Sequence, residues 1–147
     1  ERATMARALN AGKFGEAMRT VLQFRIAGLV VLAGTSVLAA IIMLWFPHLV
    51  LKRGYDEASV VAVLCIWVAI MAVRALRTPE SVLLQAGGEF KPLAGASVNS
   101  SVVSLIFTSG LLLAFGPIVS LGGVLTGEIV MALQIYAQAR RWRARHD

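Results

Sequence analysis

From Pro92 to Gly127 the chain runs thirty-six residues without a charge, closed off by Lys91 and Glu128. As one helix that stretch would be about 54 Å long, against about 30 Å for the hydrocarbon core of a bilayer. It has to fold back, and Phe115-Gly116-Pro117 marks the place. Proline cannot continue a helix, and glycine readily takes the left-handed conformation that ends one. The pattern predicts a hairpin of two spans, residues 93–115 and 119–138, joined by a turn at 116–118.

Two further spans are expected upstream. Residues 24–46 form the first, since Ile26 to Phe46 carries no charge and is long enough to cross. Gly28, Gly34, Thr35 and Ser36 would let a neighbouring helix come close, and Trp45 fits an interfacial anchor. A polar turn at 47–57 follows, with Pro47, His48 and Lys52-Arg53-Gly54-Tyr55. The second span, 58–86, is uncharged only from Ala58 to Val73. Arg74, Arg77 and Thr78-Pro79-Glu80 then interrupt it, so a kink at Pro79 and an end at Gly87-Gly88 are expected. A turn at 87–92 leads into the hairpin.

Only 15% of the residues are charged and 58% are hydrophobic, whereas a soluble domain is about 25% charged. The fold class read from this is all-α integral membrane, four transmembrane helices in two hairpins. Residues 1–23 read as a basic amphipathic segment broken at Asn10-Ala11-Gly12. Residues 139–147 read as a basic tail whose Arg140, Arg141, Arg143 and Arg145 hold anionic lipid at the interface. Cys65, inside an apolar run, is expected to be a small core residue. The first residue is Glu1, and the chain is read as a segment of something longer.

A net charge of +6 would suit nucleic acid, but the position of the charges does not. They gather at the ends of apolar spans, and no soluble basic module accompanies them. Residues 1–25, 74–91 and 140–145 hold twelve Lys and Arg together, against two at Lys52-Arg53. By the positive-inside rule both termini and the Gly87-Gly88 turn are cytoplasmic.

Glu128 would lie about 13 Å into the last span, near the midplane. A carboxylate there has to face protein or water and have a partner, or carry a proton. Asn99, at similar depth on the preceding span, is the first candidate partner. Two readings stay open: a coupling or substrate site, and a clamp between helices. Ser97, Ser101, Ser104 and Thr108 repeat at helical spacing, and Gly123 and Gly127 form a small-xxx-small pair; both patterns point to close helix packing. Arg74 and Arg77 are either forked donors for a phosphate or anchors that snorkel to the interface. His48 and His146 stand apart with no ligand-spaced neighbour, so no metal site, cofactor or enzyme activity is expected.

Four passages are similar to the C-terminal part of polysaccharide and O-antigen flippases, in the superfamily that also contains multidrug and toxin extrusion transporters. They are "AGKFGEAMR", "FPHLVLKRGYDEAS", "LLQAGGEFKPLAGASVNS" and "FGPIVSLGGVLTGEIVMALQIYAQARR". The resemblance implies a bacterial inner-membrane transporter of two six-helix lobes, moving undecaprenyl-diphosphate-linked oligosaccharide by alternating access. It implies that this chain is part of one lobe, needs the remaining transmembrane helices, and does not transport alone. It makes Arg25, Arg74 and Arg77 the candidates for the lipid diphosphate. The alternatives are a cation-coupled multidrug antiporter and a non-transporting four-helix scaffold.

Overall fold

A computed structural model describes residues 2–45 and 56–145. The Lys52-Arg53 turn, Pro47, His48 and His146 lie outside the described residues. Those described form five α-helices and no strand: α1 (Arg2–Asn10), α2 (Phe14–Trp45), α3 (Glu57–Ala86), α4 (Phe90–Phe115) and α5 (Pro117–Arg143). The last four are long and apolar enough to cross a membrane.

Helix ends follow local chemistry. Gly12, at φ +71°, breaks α1 from α2, as the Asn10-Ala11-Gly12 break leads one to expect. α2 then starts at Phe14, so Arg19 and Arg25 belong to the same helix as the span. Asp56 caps α3, its carboxylate accepting from the Ser59 amide at 3.2 Å, and Glu57 places a negative charge at the positive helix end. α3 runs on through Pro79. The missing N–H there frees the Ala75 carbonyl. Gly28 of α2 faces it, with room for a Cβ at 3.7 Å from the Ala75 Cβ and 3.8 Å from its oxygen. Gly34, by contrast, has no neighbour.

Gly87 and Gly88 end α3 for two different reasons. Gly88 takes φ +80°, which suits glycine alone without strain. Gly87 lies under the indole of Trp142, where a Cβ would sit 2.8 Å from Nε1. Gly116, at φ +86° and ψ −175°, is the one-residue joint between α4 and α5. That region of backbone space is essentially restricted to glycine.

The long helices lie in the spatial order α2, α3, α5, α4, with α1 against α2 and α3. The tightest pairing is α4 with α5. Serial burial is confined mostly to one end: Met5, Val21, Leu83, Leu84, Ile135, Ala139 and Trp142 form a single apolar core, and Phe14 meets Trp142 edge to face at 6.5 Å. This is also where the basic residues of α1, early α2 and late α5 gather, and it is called the basic end below. Towards the far end, α2 presents Val30, Val37, Leu38 and Leu44 outward, a surface that suits lipid or further apolar helices. Cys65, on α3, is exposed beside α2 and is not a core residue. An apolar run does not by itself say which side of a membrane helix faces protein.

Candidate functional site: two arginine–carboxylate triads

Arg74 and Arg77, three residues apart, project from one face of α3, and α5 brings Glu128 against them. Arg74 Nε donates to Glu128 Oε1 at 2.8 Å, and its Nη2 lies 2.6 Å from the same oxygen. Arg77 Nη2 donates to Oε2 at 2.8 Å. Each carboxylate oxygen therefore serves one guanidinium. Glu128 is 12% exposed and Arg74 45%, so Arg74 forms the open rim of the cluster. By helical rise Glu128 lies about 18 Å from the Gly116 joint, close to the middle of a helix about 40 Å long.

The partner of Glu128 is thus a pair of arginines and not Asn99. Asn99 is exposed because α4 turns a different face to α5. Ser100, Ser104 and Thr108, four residues apart, form the seam. A Cβ on Gly127 would be 2.5 Å from the Ser104 Cβ and 3.0 Å from the Ser100 oxygen, and one on Gly123 would be 2.5 Å from the Thr108 Cα. Of the expected serine stripe, Ser104 and Thr108 are in this seam, Ser101 is on its edge, and Ser97 is exposed. Ser100, not singled out from sequence, is the buried one, its hydroxyl donating to the Ser97 carbonyl at 3.1 Å. Arg74 and Arg77 share one carboxylate, with Arg77 mostly buried and Arg74 exposed at the rim.

Arg74, Glu128, Ser100, Ser101, Ser104 and Thr108 line an open groove of about 350 Å³. The Thr108 hydroxyl is buried there without a hydrogen-bond partner. A groove carrying a guanidinium rim and a row of hydroxyls can donate to an anionic oxygen and to sugar-like hydroxyl groups.

A second triad lies one to two turns nearer the basic end. Glu80, directly after Pro79, is 1% exposed. Arg25 of α2 donates to its Oε1 at 2.5 Å, and Arg143 of α5 donates to its Oε2. Three helices are thereby tied to one carboxylate. Sequence reasoning treated Glu80 as part of an interruption. The signal was present all the same, because Leu76, Leu83 and Leu84 flank it on neighbouring turns, and a carboxylate among leucines requires a partner.

Part of the basic tail is turned into the bundle. α5 continues to Arg143, Trp142 is buried, Arg143 turns inward to Glu80, and Arg145 pairs with Glu89 at 2.7 Å. The triads together hold four guanidiniums and two carboxylates. Among the described residues, the Nε–H groups of Arg25, Arg77 and Arg143 are buried with no acceptor. The excess is cationic, near the middle and one end of apolar helices. Among the described residues no three His, Cys, Asp or Glu side chains gather. Comparison with known protein families, with curated proteins and with solved structures gives no match.

Proposed function

We propose that this chain is the C-terminal part of a bacterial inner-membrane transporter that flips undecaprenyl-diphosphate-linked oligosaccharide by alternating access, with its basic end facing the cytoplasm. The observation that carries the reading is the charge imbalance of the triads. Four arginines share Glu80 and Glu128, and three of their Nε–H groups have no acceptor. Two carboxylates leave four guanidiniums with a surplus of positive charge, and a site with surplus guanidinium is suited to an anion. Arg74 is the exposed member, and the hydroxyl row beside it suits the first sugar of such a lipid.

Glu128 among hydroxyls is also the feature that suits a cation-coupled antiporter. Its two arginines oppose a second cation at the same carboxylate, and this favours the anionic substrate. The test is translocation of a fluorescent lipid-linked oligosaccharide in proteoliposomes carrying the full-length transporter. Arg74→Ala and Glu128→Gln are expected to cut transport while leaving expression intact. Wild-type rates in both would refute the assignment and leave the triad a helix clamp.

A further inference from the structure

At the basic end, the last turns of α5 and the α3–α4 turn enclose a cavity of about 600 Å³, lined by Leu84, Glu89, Pro92, Gln138, Arg141 and Arg145. We propose that it is a binding site for one anionic phospholipid headgroup, with the phosphate held by Arg141 and Arg145 and a headgroup hydroxyl donating to Gln138. The inference uses the membrane-spanning character of the bundle and does not depend on the transport reading.

Three observations point there. First, charge: Arg145 spends one Nη2 bond on Glu89 and keeps its other donors, while Arg141 is exposed with no partner among the described residues. The cavity is therefore net positive, and Lys91 and the positive end of α4 lie beside it. Second, an unmet acceptor: Gln138 donates through Nε2 to the Pro92 carbonyl at 3.2 Å, but its Oε1 is buried and receives nothing. A phosphodiester has no proton to give that oxygen, whereas a headgroup hydroxyl has one. Third, placement: the cavity opens where α3 ends and α4 begins, at the level where the ends of apolar spans meet lipid headgroups. Leu84 and Pro92 give it an apolar wall. Basic pockets between spans are the usual seats of acidic lipid headgroups.

The probe is phosphatidylglycerol, which has both the phosphodiester and the hydroxyls. The full chain is purified, stripped of lipid and titrated with phosphatidylglycerol, with phosphatidylcholine or with inorganic phosphate, and bound lipid is counted by native mass spectrometry. One phosphatidylglycerol is expected to be retained, in preference to phosphatidylcholine. Arg141→Ala breaks no hydrogen bond or ion pair among the described residues and is expected to weaken retention about tenfold or more, the loss of a charge-assisted bond. Arg140→Ala, one residue away and outside the cavity, is expected to cost no more than about fivefold, the general attraction of a basic surface. Gln138→Leu should erase the preference for phosphatidylglycerol over phosphatidylmethanol of the same chains, a phosphodiester of equal charge that lacks the headgroup hydroxyls. Equal losses from the Arg140 and Arg141 variants would overturn the site in favour of unspecific attraction to the tail. Full competition by inorganic phosphate would overturn the lipid as occupant.

Discussion

Replacing Gly123 or Gly127 by alanine tests the α4–α5 seam directly. A Cβ on Gly127 would meet the Ser104 Cβ at 2.5 Å, and one on Gly123 would meet the Thr108 Cα at 2.5 Å. Carbon atoms in contact rest at about 3.5–4.0 Å, so the helices must part by about 1 Å; a gap of that size forfeits up to about half of each neighbouring contact. The expected cost is about 1–3 kcal/mol for either variant, the usual range for an overpacked interior. Gly110 supplies the control, since a Cβ there meets nothing within 4 Å. Gly110→Ala should be neutral or slightly stabilising, by up to about 1 kcal/mol from backbone entropy. The two seam positions also differ in what obstructs them. Ser104→Gly should rescue Gly127→Ala, because the obstruction is largely the Ser104 side chain. Thr108→Ala should do little for Gly123→Ala, because there the obstruction is backbone. Thermal unfolding in a fixed detergent, followed by circular dichroism, reads all of these. If Gly123→Ala and Gly110→Ala melt together, the seam does not pack as described.

Glu80→Gln should destabilise the bundle more than Arg25→Gln does. The first leaves two guanidiniums facing a neutral amide, while the second leaves Glu80 its bond to Arg143. Losing one member of a buried pair costs about 3–5 kcal/mol; Arg25 and Arg143 are 31% and 35% exposed, so water recovers part of that and the lower end is expected. The same unfolding measurement decides it, and an equal loss for both variants would count against Glu80 as the shared anchor. Gly116→Ala should cost about 1–3 kcal/mol for a side chain forced into glycine's backbone region. Limited proteolysis at the α4–α5 joint should report that change, and an unaltered cleavage pattern would argue against the strained joint.

The helices were legible in the sequence because each boundary has a local cause. Gly12, Gly88 and Gly116 supply backbone freedom, Asp56 supplies a cap, and the apolar runs supply length. What pairs with what was not legible. Glu128 was identifiable as needing a partner, but choosing between Asn99 and the two arginines requires knowing how α3 rotates against α5. No periodicity carries that angle. Read as an interfacial anchor, Arg74 belongs near the headgroups and Glu128 near the midplane, yet the two side chains touch, since helices of different length need not be aligned at their ends. Glu80 shows a different gap: proline beside it drew attention to the backbone, while the side chain made the contact. The tail, likewise, reads as surface from its four arginines until Trp142 folds it onto Gly87.

The apolar core and the Glu80 triad lie together at the basic end, and α2 has no backbone neighbour beyond α1 and α3 among the described residues. Among these residues α3 alone borders α2 beyond Arg25, along residues 32–44, so a tilt of α2 with Arg25 as the fulcrum has to open this one contact. Beyond Arg25 α2 extends a further twenty residues to Trp45, an arm of about 30 Å by helical rise. A tilt of only about 5° at the fulcrum would swing its tip by nearly 3 Å, a displacement of the size that opens or shuts a passage between rigid bodies. Leverage of this kind puts the largest travel opposite the fulcrum, so a spin label near Trp45 would register motion that one beside Arg25 hardly feels.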